Sequence, residues 1–209
     1  SVGFVIDDMD FSGTAGIATL FDVEQVEVLN GPQGTAFGAS AMAGVIKLKT
    51  VDPSKEASGR FKASLAEENT WELAGAYGDS LSEDWQYRVA VQQFKSDGFI
   101  ENIYLNRDDT DNIDEFSSRL KLRYQPSKDM TMDLSYQYFD IDNGYDAFSL
   151  DNDGRTRSDE PGFDRQQTHA WGLNTTWTES WGTLQTVLTF NDSDIEYGYD
   201  EDWTFVGFH

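Results

Sequence analysis

Between Phe61 and Phe190, apolar and polar residues alternate in a series of short segments. Trp71, Leu73, Gly75 and Tyr77 share one side, with Glu72, Ala74 and Ala76 on the other. Trp85, Tyr87, Val89 and Val91 then oppose Gln86, Arg88, Ala90 and Gln92. Phe116, Ser118, Leu120, Leu122 and Tyr124 oppose Ser117, Arg119, Lys121 and Arg123. Met130, Met132, Leu134, Tyr136 and Tyr138 oppose Thr131, Asp133, Ser135 and Gln137. A period of two is the mark of a strand with unlike faces. With a first strand near Phe61–Leu65 and weaker ones around Trp171–Trp177 and Leu184–Phe190, the pattern predicts about seven antiparallel strands. Their connections alternate in length. Short turns at Asp79–Glu83, Pro126–Asp129 and Glu179–Gly182 contrast with long polar loops at Lys95–Glu115 and Ile141–Gln167.

Alternation alone fits any antiparallel sheet with one wet face. Three features favour a transmembrane barrel. The apolar side is edged by aromatic rings, which settle at membrane interfaces. Short turns on one end and long loops on the other are the barrel pattern. The polar side carries full charges, Arg119 and Arg123 among them, as a wet or plugged lumen allows. A soluble sandwich would show mostly short loops at both ends.

The first fifty residues have a different texture. Val2–Ile6, Val26–Leu29 and Val45–Leu48 read as short strands, Met9–Gly16 as a polar loop, and Leu20–Glu24 as a single helical turn. Asp52-Pro53 and the polar Ser54–Ser58 mark a linker. The centre is Val26–Thr50, dense in glycine. A glycine-rich connector can cradle a phosphate, but the phosphate loop needs Gly-Lys-Ser/Thr opening a helix. Here Ala39-Ser40 follow Gly38, and no lysine is present in the loop.

This stretch resembles the end of the plug domain of TonB-dependent outer-membrane receptors. In that family an E-V-x-x-G-P-x-x-x-x-x-G segment leads into a G-G-x-I-x-x-x-T strand, and the barrel follows. Glu27, Val28, Gly31, Pro32, Gly38, Gly44, Ile46 and Thr50 stand at matching positions. Asn30 replaces the usual arginine, which leaves Glu27 without its expected partner, and Ala43 replaces the first glycine of the pair. The resemblance covers the whole chain. It implies a mostly β fold: residues 1–52 as the C-terminal half of a small α+β plug, and 53–209 as the first strands of a large barrel. It also implies a bacterial outer-membrane location, active uptake of a scarce nutrient such as a ferric siderophore, and no bond chemistry. The implied partners are TonB (with ExbB and ExbD) through a segment absent here, a small-molecule substrate, and outer-membrane lipid. In the family, outer loops and plug apex together capture the substrate.

Composition sharpens this picture. The net charge is −23, from 38 acidic and 15 basic residues among 209. Such a surface repels nucleic acid, whose binding rests on Lys and Arg. Aromatics reach 14%, which argues against the disorder that acidity otherwise favours. There is no cysteine, hence no disulfide framework or thiolate metal site. No apolar run approaches the ~20 residues of a membrane helix, a fact that says nothing of strands. No signal peptide is present, and the sequence opens on Ser1 directly before an apolar strand. It therefore reads as an internal piece of a longer protein.

Candidate chemistry is sparse. Carboxylates crowd the loops, and clustered carboxylates suit calcium. The spacing fails the EF-hand pattern, since Arg155 stands where a third ligand is wanted after Asp151 and Asp153. No carboxylate pair stands out as a glycosidase acid and base. His169 and His209 are isolated, and no serine has a nucleophile-elbow context. No catalytic residue, metal site or cofactor is expected. What remains is a binding surface: aromatics interleaved with acids in long loops. The candidate ligand contacts are Met9, Phe11 and Ser12 at the plug apex and Tyr104, Tyr145, Phe148 and Phe163 in the loops. Phe11 packing against its own loop is the equal alternative. The rival to the receptor reading is a soluble acidic all-β carbohydrate-binding module at the cell surface.

Overall fold

The computed structural model describes residues 2–14, 20–31, 43–149 and 151–206. Its first sheet has four strands in the spatial order β2–β1–β4–β3: β1 (Val2–Ile6), β2 (Met9–Asp10), β3 (Val23–Asn30) and β4 (Gly44–Thr50). β1 and β4 are parallel, with Phe4 opposite Ile46, while β3 folds back antiparallel on β4, with Val28 opposite Ile46. Gly44 admits no other residue easily, because a Cβ there would lie 2.6 Å from the Leu29 carbonyl oxygen. The motif glycine Gly31 takes a left-handed φ of 87°; Pro32 and Gly38 lie outside the described residues.

The helical turn expected over Leu20–Glu24 does not form. Phe21 and Asp22 make a tight turn, Asp22 has φ 56°, and β3 already begins at Val23. The Asp22 carbonyl accepts from Val51 N at 3.0 Å, which ties this turn to the end of β4 rather than to a helix. Among the described residues the first sheet and its turns therefore contain no helix.

The second sheet has seven strands, ordered β13–β12–β10–β9–β7–β6–β5. They are β5 (Ser58–Leu65), β6 (Trp71–Ser80), β7 (Trp85–Ser96), β9 (Ile113–Ser127), β10 (Met130–Tyr145), β12 (Gly162–Glu179) and β13 (Gly182–Gly198). Every neighbouring pair is antiparallel. The short turns fall where expected. The long loops are shorter than expected, spanning 97–112 and 146–161, because β10 and β12 pair as far as Tyr145 and Gly162. Each loop also carries a two-residue strand, β8 (Glu101–Asn102) and β11 (Arg155–Thr156), and these pair in parallel.

Register aligns the alternation into rows across the sheet. Tyr77, Val89, Leu120, Tyr136, Trp171 and Phe190 lie side by side on one face. The adjacent row on the other face is Ala76, Ala90, Arg119, Gln137, Ala170 and Asn191. The polar-and-small face is the buried one, covered by the first sheet. The apolar face is open: Leu134 is 42% and Phe190 63% exposed. A soluble module would bury that face, so the carbohydrate-module reading fails on this inversion. A wall apolar outside and polar inside is how a membrane barrel is built. Aromatics edge it, with Trp85 stacked on Tyr124 at 4.6 Å near the short-turn end and Phe116 beside Tyr138 at 6.1 Å toward the loops.

Candidate functional site

Two regions bring chemistry-bearing residues together: the junction between the small sheet and the wall, and the loop cluster above it. The junction begins with an apolar contact. Phe4, Ile6, Met9, Phe11 and Leu48 pack against Phe139, Ile141 and Ala170 of the wall. Phe11 meets Phe139 edge-on at 5.6 Å. Phe21 sits on Ala74, Ala76 and Ala90, whose small side chains on β6 and β7 let it approach.

Around this contact the wall presents four cations on two adjacent strands, β7 and β9. Arg88 grips Asp22 with two hydrogen bonds, Nε to Oδ2 at 2.8 Å and Nη2 to Oδ1 at 2.5 Å. It also donates to Ser58 Oγ at 2.9 Å. Arg119 donates to the Phe21 carbonyl. Lys121 bridges Asp7 and Asp52, each at 3.1 Å. Arg123 is forked onto Asp133 at 2.7 and 2.8 Å and reaches Asp52 at 3.4 Å. Asp7 earns its place through a left-handed turn, φ 48°, which aims its carboxylate at Thr50 N (2.9 Å) and Thr50 Oγ1 (2.6 Å). A polar cavity of about 190 Å³ lies between Asp7, Lys47, Asp52, Lys121 and Asp133. Burial pushes the Asp52 carboxyl up, but Lys121, Arg123 and Lys49 together hold it below the usual carboxylate range.

Above the wall the two loops are knitted together. Asn102 is fully buried and uses its whole amide. Its Nδ2 donates to Asp146 Oδ2 (2.7 Å) and the Ser158 carbonyl (2.9 Å), and its Oδ1 accepts from Leu105 N (2.9 Å) and Tyr104 N (3.2 Å). Thr156 Oγ1 donates to the same Asp146 oxygen at 2.8 Å. Ser158 Oγ donates to Asp200 at 2.7 Å, joining the segment after β13. Burial, with Asp146 nearby, pushes the Asp111 carboxyl up. Aromatic rings crowd the same place. Phe148 stacks on Trp203 at 5.3 Å and meets Tyr145 at 5.7 Å and Tyr199 at 5.9 Å; Tyr145 meets Tyr197 at 5.3 Å. Tyr104 stacks on Phe205 at 4.8 Å.

The expected ligand contacts thus separate. Tyr145 and Phe148 are brought together in one cluster, and Tyr104 belongs to a second stack beside it. Phe163 stands apart on the outward side of β12, under the Arg165 guanidinium at 4.8 Å. Met9 and Phe11 are buried between the small sheet and the wall and offer no open surface; Phe11 packs on Phe139 of the wall rather than against its own loop. Ser12 Oγ accepts from Phe4 N at 3.0 Å, closing its own loop. Glu27, short of its family partner, is exposed and accepts from Gln25 Nε2 at 2.8 Å. Asn102, Asp146 and Arg88 carry much of the architecture and were invisible in the sequence, since each looks like any polar residue in its segment. Among the described residues no group of three or more His, Cys, Asp or Glu side chains is arranged to hold a metal ion.

A strand wall with an apolar outer belt, clamped by cations onto a small sheet inside it, defines a plugged outer-membrane barrel. No family model matches the chain. It is 28% identical over 130 residues to the pesticin receptor of Yersinia pestis, spanning 60% of this chain and 19% of that protein. It is 30% identical over 93 residues to the vitamin B12 transporter BtuB of Vibrio vulnificus, spanning 42% and 15%. The chain therefore covers about a fifth or less of the length of these relatives. Among solved structures, the ferric yersiniabactin uptake receptor FyuA from Yersinia pestis superposes with a TM-score of 0.84 at 20% identity, covering 95% of this chain and 33% of that one. The ferric-catecholate import receptor Fiu from E. coli K12 gives 0.71 at 16% identity, covering 93% and 32%. These relatives and neighbours are TonB-dependent outer-membrane receptors, transport proteins rather than enzymes. The chain has their fold over most of its length, and these receptors stand in the outer membrane.

Proposed function

We propose that the chain is part of a receptor that imports a scarce nutrient, a ferric siderophore or similar complex, across the outer membrane. Import is driven by TonB, with ExbB and ExbD, acting on the plug through a segment that precedes this one. The observation that carries the reading is the plug–wall junction. A small sheet is seated on the polar face of the wall by an apolar contact and by the ion pairs of Asp7, Asp22 and Asp52, and the part-exposed pairs of Asp52 are ones that water can replace. Such a seating suits a gate opened by force. The cluster of Tyr145, Phe148, Tyr199 and Trp203 at the mouth, with Tyr104 beside it, is the place of substrate capture. Aromatic rings supply contact area at low entropic cost. The names of FyuA and Fiu support ferric complexes as the substrate class; the name of BtuB keeps vitamin B12 in the panel to be tested.

The test is uptake by the full-length receptor in a receptor-deleted Gram-negative host, with a panel of labelled ferric siderophores and cobalamin. Saturable import of one ferric siderophore, lost when the proton gradient is collapsed, is expected. Assembly of the receptor without import of any of them overturns the substrate class. Import that survives loss of the gradient overturns the TonB mechanism.

A further inference from the structure

The loop-side end of the wall carries a groove that the transport reading does not use. Its floor is Asp142 and Gly144 on β10 and Phe163 and Arg165 on β12. These positions share the outward side with Leu134, Tyr136 and Trp171, because the register runs without a break. The groove therefore faces away from the plug. Asp142 lies four residues beyond Tyr138 along β10, about 14 Å of strand at ~3.4 Å per residue. With barrel strands tilted by ~40°, that is ~10 Å of height above Tyr138 at the aromatic edge of the apolar belt, the level of the polar part of an outer-leaflet lipid. Residues 107–112 fold over the floor and make the roof. Gly144 is required for this seat, since a Cβ there would lie 2.3 Å from the Thr110 carbonyl oxygen.

We propose that this groove, of about 320 Å³, is a saccharide site for the sugar portion of an outer-leaflet glycolipid. Both of its cations are already neutralised: Arg107 by Asp109 and Arg165 by Asp142, each at 2.7 Å. The groove thus offers guanidinium donors beside carboxylate acceptors with no net charge between them. Vicinal hydroxyls, each both donor and acceptor, match that arrangement. A phosphate does not, because a carboxylate flanks each guanidinium and Asp140, Asp194 and Glu196 line the adjoining depression. Arg165 covers one face of the Phe163 ring, and the rest of the ring adds an apolar surface to the groove. Thr110 lines the groove, is 3% exposed, and its Oγ1 has no hydrogen-bond partner among the described residues. A buried hydroxyl without a partner is costly, and a small shift of the 107–112 roof would let a ligand hydroxyl satisfy it.

The test uses the full-length receptor in detergent. The probes are purified outer-membrane glycolipid, its free core oligosaccharide, and the phosphorylated lipid anchor stripped of that oligosaccharide. Calorimetry is expected to show saturable binding of the glycolipid and of the free oligosaccharide. Thr110→Val and Phe163→Leu should each weaken oligosaccharide binding about tenfold or more, with heat-shifted gel mobility and nutrient binding unchanged. If Thr110 only tolerates burial, Thr110→Val raises thermal stability and leaves oligosaccharide binding alone, which overturns its role as a ligand contact. Binding of the phosphorylated anchor without binding of the oligosaccharide overturns the saccharide assignment in favour of an anion site. Absence of binding by all three probes overturns the site itself.

Discussion

At the scale of single residues, the structure singles out groups whose partners are distant in sequence. Asp22 and Arg88 are 66 positions apart, both buried, and joined by two hydrogen bonds. Removing one partner of a buried pair leaves an uncompensated charge, a loss of about 3–5 kcal/mol where no water relieves it. Asp22→Asn in the full-length receptor is therefore expected to loosen the plug, read as faster proteolysis of the plug while the barrel keeps its heat-shifted mobility. Arg88→Met with Asp22→Asn, which removes both charges and keeps a residue suited to the left-handed turn, should restore much of the resistance. Unchanged proteolysis in the single variant would show that the pair does not hold the plug. Asn102 is the corresponding residue among the loops. Asn102→Ala strips a donor from buried Asp146 and is expected to cost about 1–3 kcal/mol of local stability. Hydrogen exchange in both 97–112 and 146–161 should rise together, because Asn102 binds groups in each. A rise in one loop alone would mean that the hub is not shared.

At the scale of elements, facing is the property that decides mutational cost. Leu134 is on the lipid side of β10, so Leu134→Arg should destabilise the full barrel by about 2–4 kcal/mol if it lies near the midplane. Thr189, on the inner side of β13 beside Gly172, should accept arginine at much lower cost. Gln137 is not a mild comparison, although it too is inner: it is 1% exposed beneath Asp7, and a longer cation there would collide with the plug. The junction and the loops also respond to pH in opposite senses. The folded pKa of Asp52 is depressed, so its stabilisation is present above the unfolded carboxylate value of ~3.9 and is lost as pH falls through the lower folded value. The folded pKa of Asp111 is raised, so its contribution is full below ~3.9 and is lost as pH rises through the higher folded value. Stepwise acidification toward pH 4 is expected to increase exchange protection in 97–112 before any loosening of the plug. Simultaneous loss of both would contradict this assignment of causes.

At the scale of the molecule, the sheet ends, among the described residues, in two unpaired edges, β5 and β13. Open edges cannot satisfy their backbone groups in a lipid core. Expressed by itself, Ser1–His209 is expected to aggregate or to remain unfolded in detergent. A monodisperse, cooperatively melting monomer without detergent would contradict the barrel reading itself. Shortening 146–161 to a tight turn in the full-length receptor should leave assembly intact, because the strands below it pair independently of the loop. It removes Phe148 and Thr156, and so should weaken binding of the imported ligand. Unchanged affinity would place capture elsewhere at the mouth.

Much of this protein was determined by local sequence. Period-two alternation is a property of each strand alone, so the positions of the wall strands, their faces and their short turns were legible from residue order. The inversion of faces was legible too, because aromatic edges and a charged inner side are written into each segment. The helical turn that residue order predicts is absent, since the Phe21-Asp22 turn is held by Val51 and Arg88, neither of which is near in sequence. The long loops run shorter than the side-chain pattern predicts, because β10 and β12 keep pairing through the polar Asp142–Asn143 and Asp164–Arg165, on backbone bonds that side-chain pattern does not register. Met9 and Phe11 were legible as an aromatic-bearing loop, but only tertiary packing shows them buried on Phe139 and Ala170. Likewise, Tyr145 and Phe163 look equivalent as loop aromatics, and the pleat sends them to opposite sides of the wall. Sequence fixes what each segment wants to bury; which distant segment it meets depends on register and closure, and those exist only in the folded chain.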